Sequence, residues 1–280
     1  VYRPPIANPA YAVGRGPLVL LDEAHTNFHT VEGRYRPFVT LLERDGYVVR
    51  PNRAPFSRRT LESARILVIA NALHQSNERR WSLPTPSAFT DAEIAVVRDW
   101  VRDDGGSLLL IADHMPIAGH NEDLASAFGL RFHNGFAFEG GAPRPVITFR
   151  RSDGSLRTAG LATASAGAVD SVTTFTGQAF RVDPGVDAVP LLVLREGTTV
   201  LLPAVAWQFS DSTPRIPGAH LLQGALVRHG RGRVAVFGEA AMFSAQLAGP
   251  NRTPMGMNHP SAGQNWAFVL DVVRWLAEGR

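Results

Sequence analysis

Residues 17–29, Pro-Leu-Val-Leu-Leu-Asp-Glu-Ala-His-Thr-Asn-Phe-His, decide how the rest of the chain is read. Leu18 to Leu21 is a short uninterrupted apolar run, as expected of a strand buried on both faces, and it turns acidic at Asp22 and Glu23 as such a strand leaves its sheet. A helical signal follows: Pro37 where a first-turn proline is tolerated, an apolar stripe of Phe38, Leu41 and Leu42, and Gly46 as the stop. The alternation then repeats. Strands are expected at residues 47–49, 65–70 and 107–112. A helix is expected over 91–102, opened by a Thr90/Glu93 capping box and closed by Gly105 and Gly106, and a short one over 121–128, closed by Gly129. Strands alternating with helices predict an α/β, doubly wound, flavodoxin-like fold whose mostly parallel sheet carries helices on both faces.

From residue 136 to 231 the rhythm changes to β-like stretches at 146–150, 188–194 and 198–209, broken by Gly, Pro and Ser, which reads as an inserted antiparallel β subdomain. Residues 233–238 return to a buried strand. Ser261 with Gln264 then caps a last helix striped by Trp266, Val269, Leu270, Val273 and Leu276. The expected division is an extended segment at 1–16, an α/β domain over 17–135 and 232–280, and a β-rich insertion over 136–231.

Composition narrows the chemistry. The 280 residues are 45% hydrophobic and 19% charged, enough apolar material for a sizeable core. The absence of cysteine removes thiol nucleophiles, thiolate metal sites and disulfides. No apolar run approaches the roughly 18–20 residues of a membrane-spanning helix. All 28 basic residues are Arg, so a lysine-dependent phosphate loop is excluded. Only pairs such as Arg58-Arg59 and Arg79-Arg80 are densely basic, too few for a nucleic-acid track, and no nucleic-acid partner is expected. The start at Val1, followed by Pro4, Pro5 and Pro9, fits a removed secretory signal or trimming, giving a secreted or periplasmic expectation; Asn251-Arg252-Thr253 is a formal glycosylation triplet. The oligomeric state is not legible.

In an open parallel sheet, residues just past the strands' carboxyl ends collect on one edge, where ligands bind. That rule selects Asp22, Glu23 and His25 after the first strand, Asn71 and His74 after the third, Asp113 and His114 after the fourth, and Glu239 after the last. Carboxylates crowded on one rim repel unless a cation, a shared proton or hydrogen bonds offset them. A divalent ion (Zn, Mn, Fe or Ca) held by Asp22, His25, Asp113, His114 and Glu239 would do so. Catalytic roles fall to Asp22, Glu23, His29 and Glu239, and substrate contacts to Asn27, Asn71, His74, Asn258 and His259. Each residue also has an ordinary reading: Asp22 or Asp113 as a cap or turn former, Glu23 as an exposed strand-end charge, His120 as a loop or cap residue, and residues 255–260 as a surface loop. No Gly-x-Ser-x-Gly elbow occurs, and no serine is paired with a base by spacing. The expectation is a metal-dependent hydrolase acting on a small ester, amide or sugar-derived substrate. Two alternatives stand beside it: a metal-free carboxylate pair, as in glycoside hydrolysis, and a non-catalytic domain binding a sugar or a partner protein.

Three stretches carry a resemblance: Asp22-Glu23-Ala24-His25-Thr26-Asn27-Phe28-His29-Thr30, residues 106–114 ending in Ala112-Asp113-His114, and Phe237-Gly238-Glu239-Ala240-Ala241-Met242-Phe243. With the closing helix at 265–276, the chain resembles the class I glutamine amidotransferase-like superfamily, in its bacterial DUF4350 and ThuA-like branch, over residues 17–135 and 232–278. The resemblance implies the three-layered architecture and the position of the rim. It also implies an envelope or carbohydrate-linked setting. Amidotransferases of that superfamily place a cysteine at a strand exit; Asp113-His114 stands at the comparable exit here, so glutamine hydrolysis by that route is excluded.

Overall fold

The computed structural model describes residues 2–140, 146–161 and 168–278. Its strands are β1 (Leu18–Asp22), β2 (Val48–Asn52), β3 (Ile66–Ala70), β4 (Ser107–Ile111), β5 (Leu130–His133), β6 (Phe136–Glu139), β7 (Val146–Arg150), β8 (Ser171–Phe175), β9 (Ala179–Val182), β10 (Ala188–Val193), β11 (Thr198–Leu201), β12 (Arg215–Pro217), β13 (Leu222–His229), β14 (Gly232–Phe237), β15 (Ala245–Ala248) and β16 (Thr253–Gly256). The helices are α1 (Arg36–Arg44), α2 (Arg58–Leu61), α3 (Asp91–Arg102), α4 (Ile117–Ser126) and α5 (Asn265–Ala277). One large sheet runs β2-β1-β3-β4-β14-β13-β9-β5, with β10 also on β13. From β2 to β14 its strands are parallel, and β13, β9, β5 and β10 pair antiparallel.

Alternation along the central strands explains why they need apolar residues throughout. Val19 and Leu21, Ile66 and Val68, and Leu109 and Ile111 enter a cluster with Phe38 and Leu42 of α1 and Phe268 and Leu276 of α5. Leu20, Leu67, Ile69, Leu108 and Leu110 enter another with Val97 and Trp100 of α3 and Leu124 of α4. A residue type that suited only one side could not fill both. Burying an apolar side chain of this size stabilises by about 1.5–3 kcal/mol, so this centre dominates the fold.

Several expectations change in detail. Within residues 136–231, β9, β10 and β13 extend the main sheet, the buried face of β13 continuing that of β14, while β6, β11 and β12 form a second sheet and β7 pairs with β8. The expected strand at 198–209 stops at Leu201, and the chain beyond it forms a loop touching residues 81–83 through Leu83 N–H to Ala204 O (2.9 Å) and Ala206 N–H to Trp81 O (2.9 Å). The fourth helix begins at Ile117 rather than 121, since His120 and Asn121 face inward: the Asn121 amide donates to Ala72 O (3.0 Å) and Ile117 O (2.8 Å). Gln264 precedes α5 but does not cap it; its side-chain oxygen accepts from Asp170 N–H and Ser171 N–H instead. The Thr90/Glu93 capping box forms as expected.

Candidate active site

The strand order reverses direction between β1 and β3, and in such sheets the crevice at the carboxyl ends beside the reversal is the ligand position. The segment after β1 crosses this crevice, where Phe28 N–H donates to Asn71 O (3.0 Å) beyond the end of β3. A cavity of about 240 Å³ opens there. Asn71, Asp113 and His114 come from the ends of β3 and β4; His29 and Arg34 from the segment after β1; Phe28, Trp81, Phe175 and Trp207 supply aromatic walls. A larger groove of about 790 Å³ lies between β6, β10 and the β7–β8 region, away from the parallel strand exits, and its charges neutralise one another through Arg195 on Glu139 (2.6 Å) and Asp153 (2.7 Å).

Backbone strain concentrates at the smaller cavity. Asn71 (φ 52°), Thr176 (φ 70°) and Trp207 (φ 66°) line it in the left-handed region, which is unusual for a β-branched or bulky residue. Such conformations cost on the order of 1–3 kcal/mol each and collect at ligand sites. Thr176 is held by the close approach of its neighbour to β14, where a Cβ on Gly177 would stand 2.2 Å from Gly238 O.

Asp113 and Glu239 form a buried acidic pair. Glu239 is fully buried and receives Ala241 N–H (2.6 Å) and Met242 N–H (2.8 Å), which tie the turn after β14 back to the strand end. Asp113 receives His114 N–H (2.7 Å), while its own N–H donates to the Asn71 side-chain oxygen (3.0 Å). Burial, and then the neighbouring Asp113 charge, push the Glu239 carboxyl well above the ordinary range, and burial likewise raises Asp113. Burial disfavours the charged form of both acids, and the Asp113 charge further favours a proton on Glu239. Tyr35 roofs the pair, its hydroxyl donating to Ala240 O (3.1 Å), and its own ionisation is suppressed by burial and by both acids.

His29 is 2% exposed and packs against Tyr35, with ring centres 4.4 Å apart. Neither ring nitrogen has a hydrogen-bond partner. Burial first, and then the Arg34 charge, push its pKa down to about 3, so the ring is neutral at physiological pH. His114 stacks on Phe136 (4.4 Å) and turns Nδ1 to Met115 O (2.8 Å).

The rim residues expected to converge separate into two groups. Asp22 and His25 turn away from Asp113 and Glu239: His25 Nδ1 meets Asp22 Oδ2 (2.9 Å) and Nε2 meets Glu93 Oε1 (2.9 Å), with Phe56 and Phe89 on the ring faces. Asn27 is spent on the same cluster, donating to Asp22 Oδ2 (2.9 Å). Glu23 binds Val31 N–H (2.8 Å) and Arg53 (3.0 Å), a local neutralisation, and does not line the cavity. His74 and His259 each cap a short turn, through Ser76 N–H and Ser261 N–H, and Asn258 donates to Ala245 O and Gln246 O across the β15–β16 hairpin. Only Asn71, among the expected substrate contacts, lines the cavity.

This arrangement does not fit the expected divalent ion. The oxygens of Asp22 and Glu239 are engaged by N–H donors, His25 is clasped between two carboxylates, and among the described residues no three His, Asp or Glu side chains are grouped as a metal sphere requires. Four contributors escaped sequence reading. Glu93 was visible as a cap but not as a partner of His25, 68 residues away. Arg34, Trp81 and Trp207 lie on connections whose course no periodicity reveals.

No protein-family profile matches the chain, and no curated protein matches its sequence. Among solved structures, the fold is similar to the mmIFT52 N-terminal domain, with a TM-score of 0.60 at 15% identity over 94% of this chain and 98% of that one. It is also similar to a ThuA-like protein from Bacteroides uniformis, with a TM-score of 0.50 at 12% identity over 96% of this chain and 95% of the other. A second ThuA-like protein, from Parabacteroides merdae, aligns at a TM-score of 0.47 and 12% identity over 94% and 91%. The chain therefore has an α/β fold shared with ThuA-like proteins, with antiparallel strands added to a parallel centre. No helix among the described residues is long and apolar enough to cross a membrane.

Proposed function

We propose that the cavity is the active site of a hydrolase that works by acid–base chemistry on a small sugar-derived or ester substrate. One observation carries the reading: the cavity's floor contains Asp113 backed by Glu239, a carboxyl pair with shifted proton affinity, and such pairs mark acid–base sites. The pair holding one proton can act twice. Asp113 accepts a proton from the attacking water and returns a proton to the departing oxygen, with Glu239 completing the pair beneath, so the two acids end as they began. His29, uncharged and with open ring nitrogens, orients the water by accepting a hydrogen bond. The indoles of Trp81 and Trp207 offer apolar faces to a sugar ring. No step passes through a metal, because the donor set does not fit one.

A panel of p-nitrophenyl glycosides and esters, assayed with and without excess EDTA, tests this. Turnover of at least one substrate at an unchanged rate in EDTA is expected. Turnover that EDTA abolishes and a divalent ion restores would return the expected metal chemistry. Binding of sugars without any turnover would leave a non-catalytic domain.

A further inference from the structure

The cavity wall carries one feature that acid–base chemistry does not use. Arg34 lines the cavity, and its guanidinium lies 4.0 Å from the centre of the Phe28 ring, a stacking contact that fixes its direction. Carboxylates near it in sequence are already engaged: Glu32 and Glu43 pair with Arg36 (3.6 and 3.9 Å), while Glu23 is taken by Val31 N–H and Arg53. Among the described residues no Asp or Glu oxygen lies within ion-pair distance of Arg34. His29 stands next to it in the wall, buried, with two unpartnered ring nitrogens. Of the two acids, Asp113 lines the cavity, while Glu239 is fully buried and does not. The cavity therefore carries one guanidinium, Arg34, and one carboxyl, Asp113, in its lining.

We propose that Arg34 recognises a carboxylate on the ligand, so that the substrate class is an acidic sugar of the uronate type, its ring lying against Trp81 and Trp207. The inference rests on the functional reading above and narrows its substrate. A guanidinium presents two parallel N–H donors that match a carboxylate, and such charge-assisted pairs are stronger than neutral ones. A single guanidinium offsets a single negative charge. A phosphate dianion would bring a second charge toward the carboxyl pair with no cation to meet it, so a carboxylate suits the cavity better. At about 240 Å³ the space is below the usual 300–1,000 Å³ of small-molecule sites, which limits it to about one sugar ring.

Calorimetric titration of the whole chain with glucuronate, galacturonate, glucose and inorganic phosphate, at low salt, tests the assignment. A uronate should bind the wild type more tightly than glucose or phosphate. Arg34→Gln should weaken uronate binding by roughly 10- to 100-fold, the range of a hydrogen bond to a charged group. Arg34→Lys should recover part of the loss, and glucose binding should be the same in all three proteins. Because Arg34 is exposed at the rim, the variants should melt with the wild type, which separates lost recognition from lost folding. Equal affinity for glucose and uronate, a uronate affinity unmoved in Arg34→Gln, tighter binding of phosphate, or no binding of any acid would each overturn the proposal. The hydrolase reading fails separately: uronate binding that depends on Arg34, with no p-nitrophenyl glucuronide turned over, keeps the recognition and removes the catalysis. Hydrolysis of neutral glycosides at equal rates by wild type and Arg34→Gln does the reverse.

Discussion

Asp113→Asn should lower turnover by about 10²–10⁴-fold, the usual contribution of a positioned general acid–base group, while leaving binding of the ligand within a few fold. The amide retains the shape of the side chain and its contacts with His114 N–H and Asn71, but it cannot take and return a proton. The effect should fall on kcat rather than KM, because the lost interaction belongs to the transition state. The fold should not suffer. Removing one of two buried acids relieves the repulsion that raises Glu239, so the variant should melt at or slightly above the wild-type temperature. A variant with full turnover would remove Asp113 from the reaction. One that loses turnover only because it unfolds, seen by circular dichroism, would assign the residue to structure.

The second large effect concerns stability and lies in the other group of rim residues. Glu93→Ala should cost about 3–5 kcal/mol, as expected when one member of a buried charged cluster is removed, including the loss of the cap on α3. Glu93→Gln keeps the bonds to Thr90 and should cost less. The midpoint of urea unfolding at constant slope reads both. The pH dependence carries the signature of the His25 cluster. Burial opposes the charge on His25, but hydrogen bonds and attraction from Asp22 and Glu93 outweigh it, and its pKa is raised. A raised imidazole contributes stability in full below its unfolded value, about 6.5, and loses it as pH rises through the folded value. Glu93 is opposed by its own burial, but His25 and the N–H and hydroxyl donors around it bring its pKa down. Its contribution is present above its unfolded value of about 4.3 and is lost as pH falls through the folded one. The gap between wild type and Glu93→Gln should therefore be widest between about pH 4.3 and 6.5 and close on both sides. A gap that stays constant from acid to alkali would show that His25 and Glu93 do not meet as ions.

The parallel centre was legible because strands buried on both faces cannot be mistaken for half-exposed ones: Leu18–Asp22, Ile66–Ala70 and Ser107–Ile111 fall where apolar runs stand. The rim was legible for the same reason, since strand exits follow from strand ends, and Asp113 with Glu239 came from that rule. What sequence could not supply is side-chain direction beyond the exit. Asp22 and Asp113 leave neighbouring parts of one sheet, yet Asp22 turns to His25 because α3 brings Glu93 there, and Asp113 turns to the cavity. His25 thus reads like a metal ligand in the chain and forms a buried hydrogen-bonded bridge between Asp22 and Glu93 in the fold. Periodicity tells strand from helix but not which sheet a strand joins, so the pairing of β13 with β14 in the main sheet was not legible.

The proton shared by Asp113 and Glu239 is the claim on which the proposed chemistry stands. Carboxyl carbon NMR of protein labelled with ¹³C at Glu and Asp side chains, titrated from acid to alkali with Glu239→Gln as the assignment control, observes that proton directly. One Glu resonance, absent in Glu239→Gln, should keep its protonated shift at neutral pH and titrate far above its fellows. If every Glu signal has already moved to its ionised position by pH 6, the pair holds no proton and the acid–base account is wrong.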